Sequence, residues 1–132
     1  MGWSIVTGTV VEVIDGSTMT IGLGDKSERR LHLVAVVAPQ IEDKFWAAAR
    51  AKLTSLALNR TVFILVNPSK DKDKELWGVV HVKGQDINEV MLEEGLGRFG
   101  KPEAYAVSSY TACVYLLVEG EARKAKRGLW QN

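Results

Sequence analysis

Asp15-Gly16-Ser17-Thr18 places a carboxylate and two hydroxyls at the end of a Val- and Ile-rich run. An aspartate suits such a turn because its side chain accepts from its own backbone two residues on. The same oxygens are of the kind that calcium takes, although calcium needs several of them. His32 is a side chain that changes charge near neutral pH and can carry a proton. With no carboxylate partner evident, it is expected to be a strand residue facing a groove. Arg30 lies two residues earlier, on the same strand face, either solvated or in contact with a phosphate. Gln40 can orient a water molecule but cannot take its proton. Glu75 would repel a phosphate unless Arg30 or a neighbouring lysine pairs with it. Tyr105, in a loop, either stacks on a base or packs on the body of the protein. The strongest cationic cluster is Arg123-Lys124-Ala125-Lys126-Arg127. It falls at a helix end, where cations are favoured for structural reasons alone, while Arg123 and Arg127 are also candidate nucleic-acid contacts. Lys70, Lys72 and Lys74 alternate with Asp71 and Asp73, giving a mixed solvated loop.

The elements that must position these residues begin with strands. Ile5 to Val13 runs into the turn at Asp15-Gly16, and Thr18 to Leu23 returns with Met19, Ile21 and Leu23 on one face. Gly24-Asp25-Lys26-Ser27 makes a second turn, and a third strand is expected over Arg29 to Val37, stopped by Pro39. From Glu42 to Leu58 the period changes: Trp46, Ala49, Leu53 and Leu56 recur at helical spacing. Strands follow at Val62 to Val66 and Leu76 to Val82. Ile87, Val90 and Met91 mark a short helix ending at Gly95. Gly97 to Val107 is expected to be loop, and a last helix runs from about Ser109 to Lys126. The order suits an α+β, mainly β domain spanning residues 1–132, a five-stranded barrel with three helices, because closure removes exposed sheet edges.

The ordered set Val13-Ile14-Asp15-Gly16-Ser17-Thr18, Arg30-Leu31-His32-Leu33 with Ala38-Pro39-Gln40, Lys74 to Val82 followed by Gly84, Asn88-Glu89 to Gly95-Leu96, and Gly128-Leu129-Trp130 resembles the thermonuclease (staphylococcal-nuclease-like) family. The resemblance implies an OB-fold barrel and a calcium-dependent phosphodiesterase acting on DNA and RNA. It also implies which positions would carry that chemistry: metal carboxylates at Ser17 and Val37, a phosphate-clamping arginine at His32, a threonine at Ala38, a water-activating glutamate at Gln40 and a second arginine at Glu75. Every one of these side chains differs from the family's own. Removing a single preorganised donor costs roughly 10²–10³ in rate, and losing two arginines, a carboxylate base and both metal carboxylates together, even if not additive, removes most of an acceleration. The expectation is a degenerate nuclease with no catalytic residue, no metal and no cofactor, calcium entering only if the family site were retained. Such a domain would serve as a binding module, with Arg30, His32, Gln40, Tyr105, Arg123 and Arg127 as candidate contacts. The alternatives are a weak or altered nuclease and a self-associating structural subunit.

The last helix carries seven consecutive apolar residues, Ala112 to Val118. The resemblance would bury Tyr115, Val118 and Ala122, leaving Cys113, Leu116 and Leu117 toward water as an interface for a protein partner or a second copy. A rotated helix would instead bury Val114, Leu117 and Val118.

Composition bounds the remaining classes. Seventeen Lys plus Arg against sixteen Asp plus Glu leave a net charge of +1, which argues against a strongly basic nucleic-acid scaffold but not against single-stranded nucleic acid as a partner. One cysteine excludes an internal disulfide and a cysteine-built zinc site. No run approaches the roughly 18 apolar residues of a membrane span, and no signal-peptide pattern is expected within these residues. The compartment is left open.

Overall fold

Bending one long strand lets a single sheet close on itself. In the computed structural model, which describes residues 4–66, 75–100 and 107–131, β1 (Ser4–Asp15) pairs through its first half with β5 (Thr61–Val66) and through its second half with β2 (Thr18–Gly22). Register shifts between Val10 and Glu12 and between Val13 and Asp15 mark bulges, which raise the local twist and curl the strand. β2 pairs with β3 (Glu28–Leu33), β5 with β6 (Glu75–Val82), and β3 meets β6 in parallel to close a five-stranded barrel. A two-residue strand β7 (Gln85–Asp86) folds back on β6. The inward residues of the five strands, among them Val10, Met19, Ile21, Leu31, Ile64, Leu76 and Val80, are fully buried.

The expected third strand, Arg29 to Val37, is divided. β3 ends at Leu33, Ala35 takes a positive φ of 67°, and Val36–Val37 form a separate strand, β4. β4 pairs with β8 (Arg98–Phe99), so the expected loop from Gly97 also contains a strand. The physical reason is burial from several sides. Val34, Ala35 and Val36 are buried beside the helices as well as the sheet, and an apolar run of that kind carries no alternation to mark a break.

Helix α1 (Trp46–Ala57) is shorter than the expected Glu42 to Leu58. The residues before it form turns instead, with the Asp43 carboxylate accepting from Phe45 N at 2.7 Å, a local bond that competes with helix. α2 (Ile87–Glu93) starts on the Asp86 side chain, which accepts from Glu89 N at 2.9 Å. It ends where Gly95, at φ 74°, lets Gly95 N reach Leu92 O and Leu96 N reach Met91 O, the paired bonds of a Schellman ending. α3 (Ser109–Ala125) is capped by Ser108. A short 3₁₀ turn, Gly128–Trp130, then docks on α2's end: a Cβ on Gly95 would lie 2.3 Å from Arg127 O, and one on Gly128 would lie 2.3 Å from Gly95 O.

Two buried polar groups tie helices to barrel. Asn88 is fully buried on α2; its Nδ2 donates to Val34 O at 2.9 Å and Gly78 O at 3.2 Å, while its Oδ1 accepts from Val80 N at 3.0 Å. Tyr115 of α3, also fully buried, donates its hydroxyl to the Asp86 carboxylate at 2.9 Å. Burial and the neighbouring carboxylate push the phenol well above its usual range.

Asn88→Ala leaves one buried N–H and two carbonyls without this partner, and should cost about 3 kcal/mol or more in urea unfolding with an unchanged slope. The Tyr115 phenol predicts alkaline sensitivity. The unfolded group ionises near its ordinary value of 10.0 while the folded one stays neutral, so stability held below that pH falls as pH rises above it. Unfolding curves between neutral and alkaline pH should show a shallower alkaline loss for Tyr115→Phe than for the parent.

Candidate functional site

The first turn is closed by its own aspartate. Asp15 Oδ1 accepts from Ser17 N at 2.9 Å and from Ser17 Oγ at 3.4 Å, so the carboxylate and hydroxyl are engaged with each other. Ser17 O accepts from Leu33 N at 2.9 Å. The turn delivers Thr18 as the register partner of His32 on the neighbouring strand. Arg50 of α1 braces the same corner, donating from Nε to Val13 O at 3.1 Å.

On the other side of His32 lies β6. The parallel pairing sets Arg30 against Glu75 and His32 against Trp77, and Glu75 reaches across one step of the register. Its Oε1 lies 2.5 Å from His32 Nε2, with the imidazole 18% and the carboxylate 44% exposed. The imidazole also stacks on the Trp77 indole, ring centroids 4.0 Å apart and planes 14° from parallel. His32 is therefore not the solitary strand histidine that the sequence led us to expect. Glu75 takes His32 as its partner: the parallel strands bring His32 and Glu75 together from 43 positions apart, a proximity that no local pattern reveals. Trp77 was missed altogether, although its place two residues after Glu75 in a strand puts both on one face.

The other family-site positions lie beyond the break at Ala35. Val37, 50% exposed, pairs with Arg98 in the small sheet. Ala38 is buried and Gln40 exposed, its Nε2 only 3.5 Å from Ala38 O. The donor set does not fit calcium. Val37 offers no side-chain oxygen, Gln40 a neutral amide, and the Asp15 carboxylate already holds Ser17, whereas the ion takes six to eight oxygens with carboxylates among them. Among the described residues, no group of three or more His, Cys, Asp and Glu side chains could hold a metal.

The terminal cations have structural partners. Arg123 stacks over the Trp130 ring at 4.2 Å, Arg98 lies over the same ring at 4.7 Å, and Arg123 reaches Glu119 Oε1 at 3.5 Å. Arg127 donates to Glu93 O at 3.0 Å. Glu119, 6% exposed, accepts from Phe99 N at 2.7 Å and so holds β8 to α3. Tyr105 and the Lys70, Lys72, Lys74 loop lie outside the described residues.

The last helix is not rotated. Tyr115 and Ala122 are buried and both Val114 and Val118 pack against the core, while Leu117 is 63% exposed, so of the three residues a rotated helix would bury only Leu117 faces out. Leu116 at 53% exposure, Tyr110 at 78% and the exposed Cys113 share the open side. A packed Tyr115 anchored on Asp86 leaves the helix no freedom to turn.

Comparison with known proteins agrees with this geometry. A family model described as staphylococcal nuclease homologue matches residues 30–132. The chain is 27% identical to micrococcal nuclease of Shigella flexneri over 98% of its own length and 76% of that protein. It is 29% identical to protein ParB of Escherichia coli, over 98% of this chain and 75% of the relative. An uncharacterized endonuclease of Escherichia coli O157:H7 is 27% identical over 96% of this chain and 78% of its own length. With a barrel closed by parallel β3 and β6, three helices in the expected order and a match over most of its length, the chain belongs to the staphylococcal nuclease homologue family.

Proposed function

We propose that this domain is a catalytically silent nuclease homologue that serves as a binding module for an oligonucleotide or a protein partner. The observation that supports the silence is the 2.5 Å contact between His32 and Glu75. These are the two positions at which the family resemblance expects arginines to neutralise phosphate charge. Here one is an imidazole and the other an anion, and each meets the other's hydrogen-bonding need. A carboxylate at that point repels the phosphate that the nuclease reaction must hold, and no general base or calcium carboxylate stands at Gln40, Ser17 or Val37. The names of the relatives, a nuclease and an endonuclease, support nucleic acid as the class of ligand.

Cleavage of single-stranded DNA and RNA, measured with calcium and with chelator, tests the proposal. No turnover above buffer is expected in either condition. Robust calcium-dependent cleavage would overturn it. So would metal-independent cleavage abolished by His32→Ala, because a histidine oriented by a carboxylate is also how a general base is held.

A second reading concerns α3. Tyr110, Cys113 and Leu117 fall on one helical stripe with Leu116 beside it, and their exposure supports a self-associating face. Sedimentation equilibrium should then show a dimer that Leu117→Lys dissociates. A monomer at high concentration for the parent protein would sink this reading.

A further inference from the structure

The end of α1, the turn leading into β5 and the turn between β6 and β7 border an open surface groove of about 250 Å³, lined by Ser55, Leu56, Arg60, Val82, Lys83 and Gln85. Its lining contains two cations and no acid. Val82 is 6% exposed and Leu56 packs against the core, so the two form a fixed apolar floor. The backbone that carries the cations is held as well. Arg60 N donates to Ala57 O at 3.0 Å, and Arg60 O accepts from Val10 N at 3.1 Å. Lys83 sits at φ 53° in the tight turn that leads into β7. Among the described residues neither the Arg60 guanidinium nor the Lys83 ammonium has an ion-pair partner.

Two like charges gathered around one concavity repel each other until an anion arrives, and a phosphate matches both, as a planar fork for arginine and a point charge for lysine. Gln85 adds a neutral donor at the rim. Phe63, three residues along the chain from Arg60, is 49% exposed on β5, and its register partner His81 lies two residues before Lys83. An exposed aromatic beside a cationic pocket is the pairing by which proteins hold single strands, the backbone by charge and a base by stacking.

We propose that this pocket is a phosphate-binding subsite for single-stranded nucleic acid, with the phosphate between Arg60 and Lys83 and a neighbouring base on Phe63. The proposal deepens the binding-module reading and rests on it for the identity of the ligand. It uses none of the family-site positions: Lys83 lies eight residues along the chain from Glu75, roughly 25 Å away at the rise of a strand. The apolar floor suits the sugar that follows the phosphate.

The test is an amide NMR titration of the whole chain, first with inorganic phosphate and then with a short labelled oligothymidylate followed also by anisotropy. Phosphate should shift the Arg60, Lys83 and Gln85 resonances. The Arg60→Gln, Lys83→Gln double variant should abolish those shifts and weaken the oligonucleotide by about tenfold, lowering the salt slope by about 1. Phe63→Ala should weaken the oligonucleotide by roughly tenfold while leaving phosphate binding unchanged. Unchanged circular dichroism keeps each comparison interpretable, since all three side chains are at the surface. Phosphate shifts that map elsewhere, or that survive the double variant, overturn the pocket. A phosphoserine peptide bound as tightly as the oligonucleotide overturns the nucleic-acid assignment. Failure of the silent-nuclease reading would show separately, as turnover.

Discussion

The amide of Asn88 holds the point where the barrel closes. β3 and β6 run parallel only from Arg30 to Leu33 on one side and Glu75 to Gly78 on the other, and a short parallel ladder is a weak seam. Immediately past it, Val34 leaves β3 and Gly78 bends toward β5. Asn88 gives the Val34 carbonyl and the Val80 N–H a partner there, and adds a second donor to the Gly78 carbonyl, which also accepts from Val34 N at 3.0 Å. A buried amide that makes three bonds in a low-dielectric setting is worth more than its net strength in water suggests. It also fixes α2 against the barrel, and through Asp86 and Tyr115 it fixes α3 in turn.

That seam is also what creates the site. His32 and Glu75 are neighbours because of the β3–β6 register and for no other reason. The stacked Trp77 removes the imidazole from much of the solvent and aims its Nε2 at the carboxylate. In the family the two positions would present like charges to a phosphate. In this chain they are a histidine and a glutamate that meet each other. The terminal arginines follow the same logic on a smaller scale, spending their guanidinium faces on Trp130 and on Glu119.

Much of this architecture was legible from local signals. The turn at Asp15-Gly16, the Asx bonding within it, the stop of α2 at Gly95 and the inward face of β2 each depend on neighbours within a few residues. Periodicity carries that information directly. The break of the third strand at Ala35 was not legible, because Val34 to Val37 is apolar throughout and the reason to turn lies in Gly78 and Asn88, which are distant in sequence. The same limit hid β8, a two-residue strand that exists because β4 is there to pair with it.

By itself the sequence determined the order of the main strands and helices and the family, since both depend on residue identity and short spacing. Only the tertiary structure decided which side chains meet at the closing seam. Strands far apart in the chain set Glu75 against His32, and the anchoring of Tyr115 on Asp86 decided which face of α3 meets water. Those outcomes rest on register and packing between distant segments, and a one-dimensional pattern carries neither.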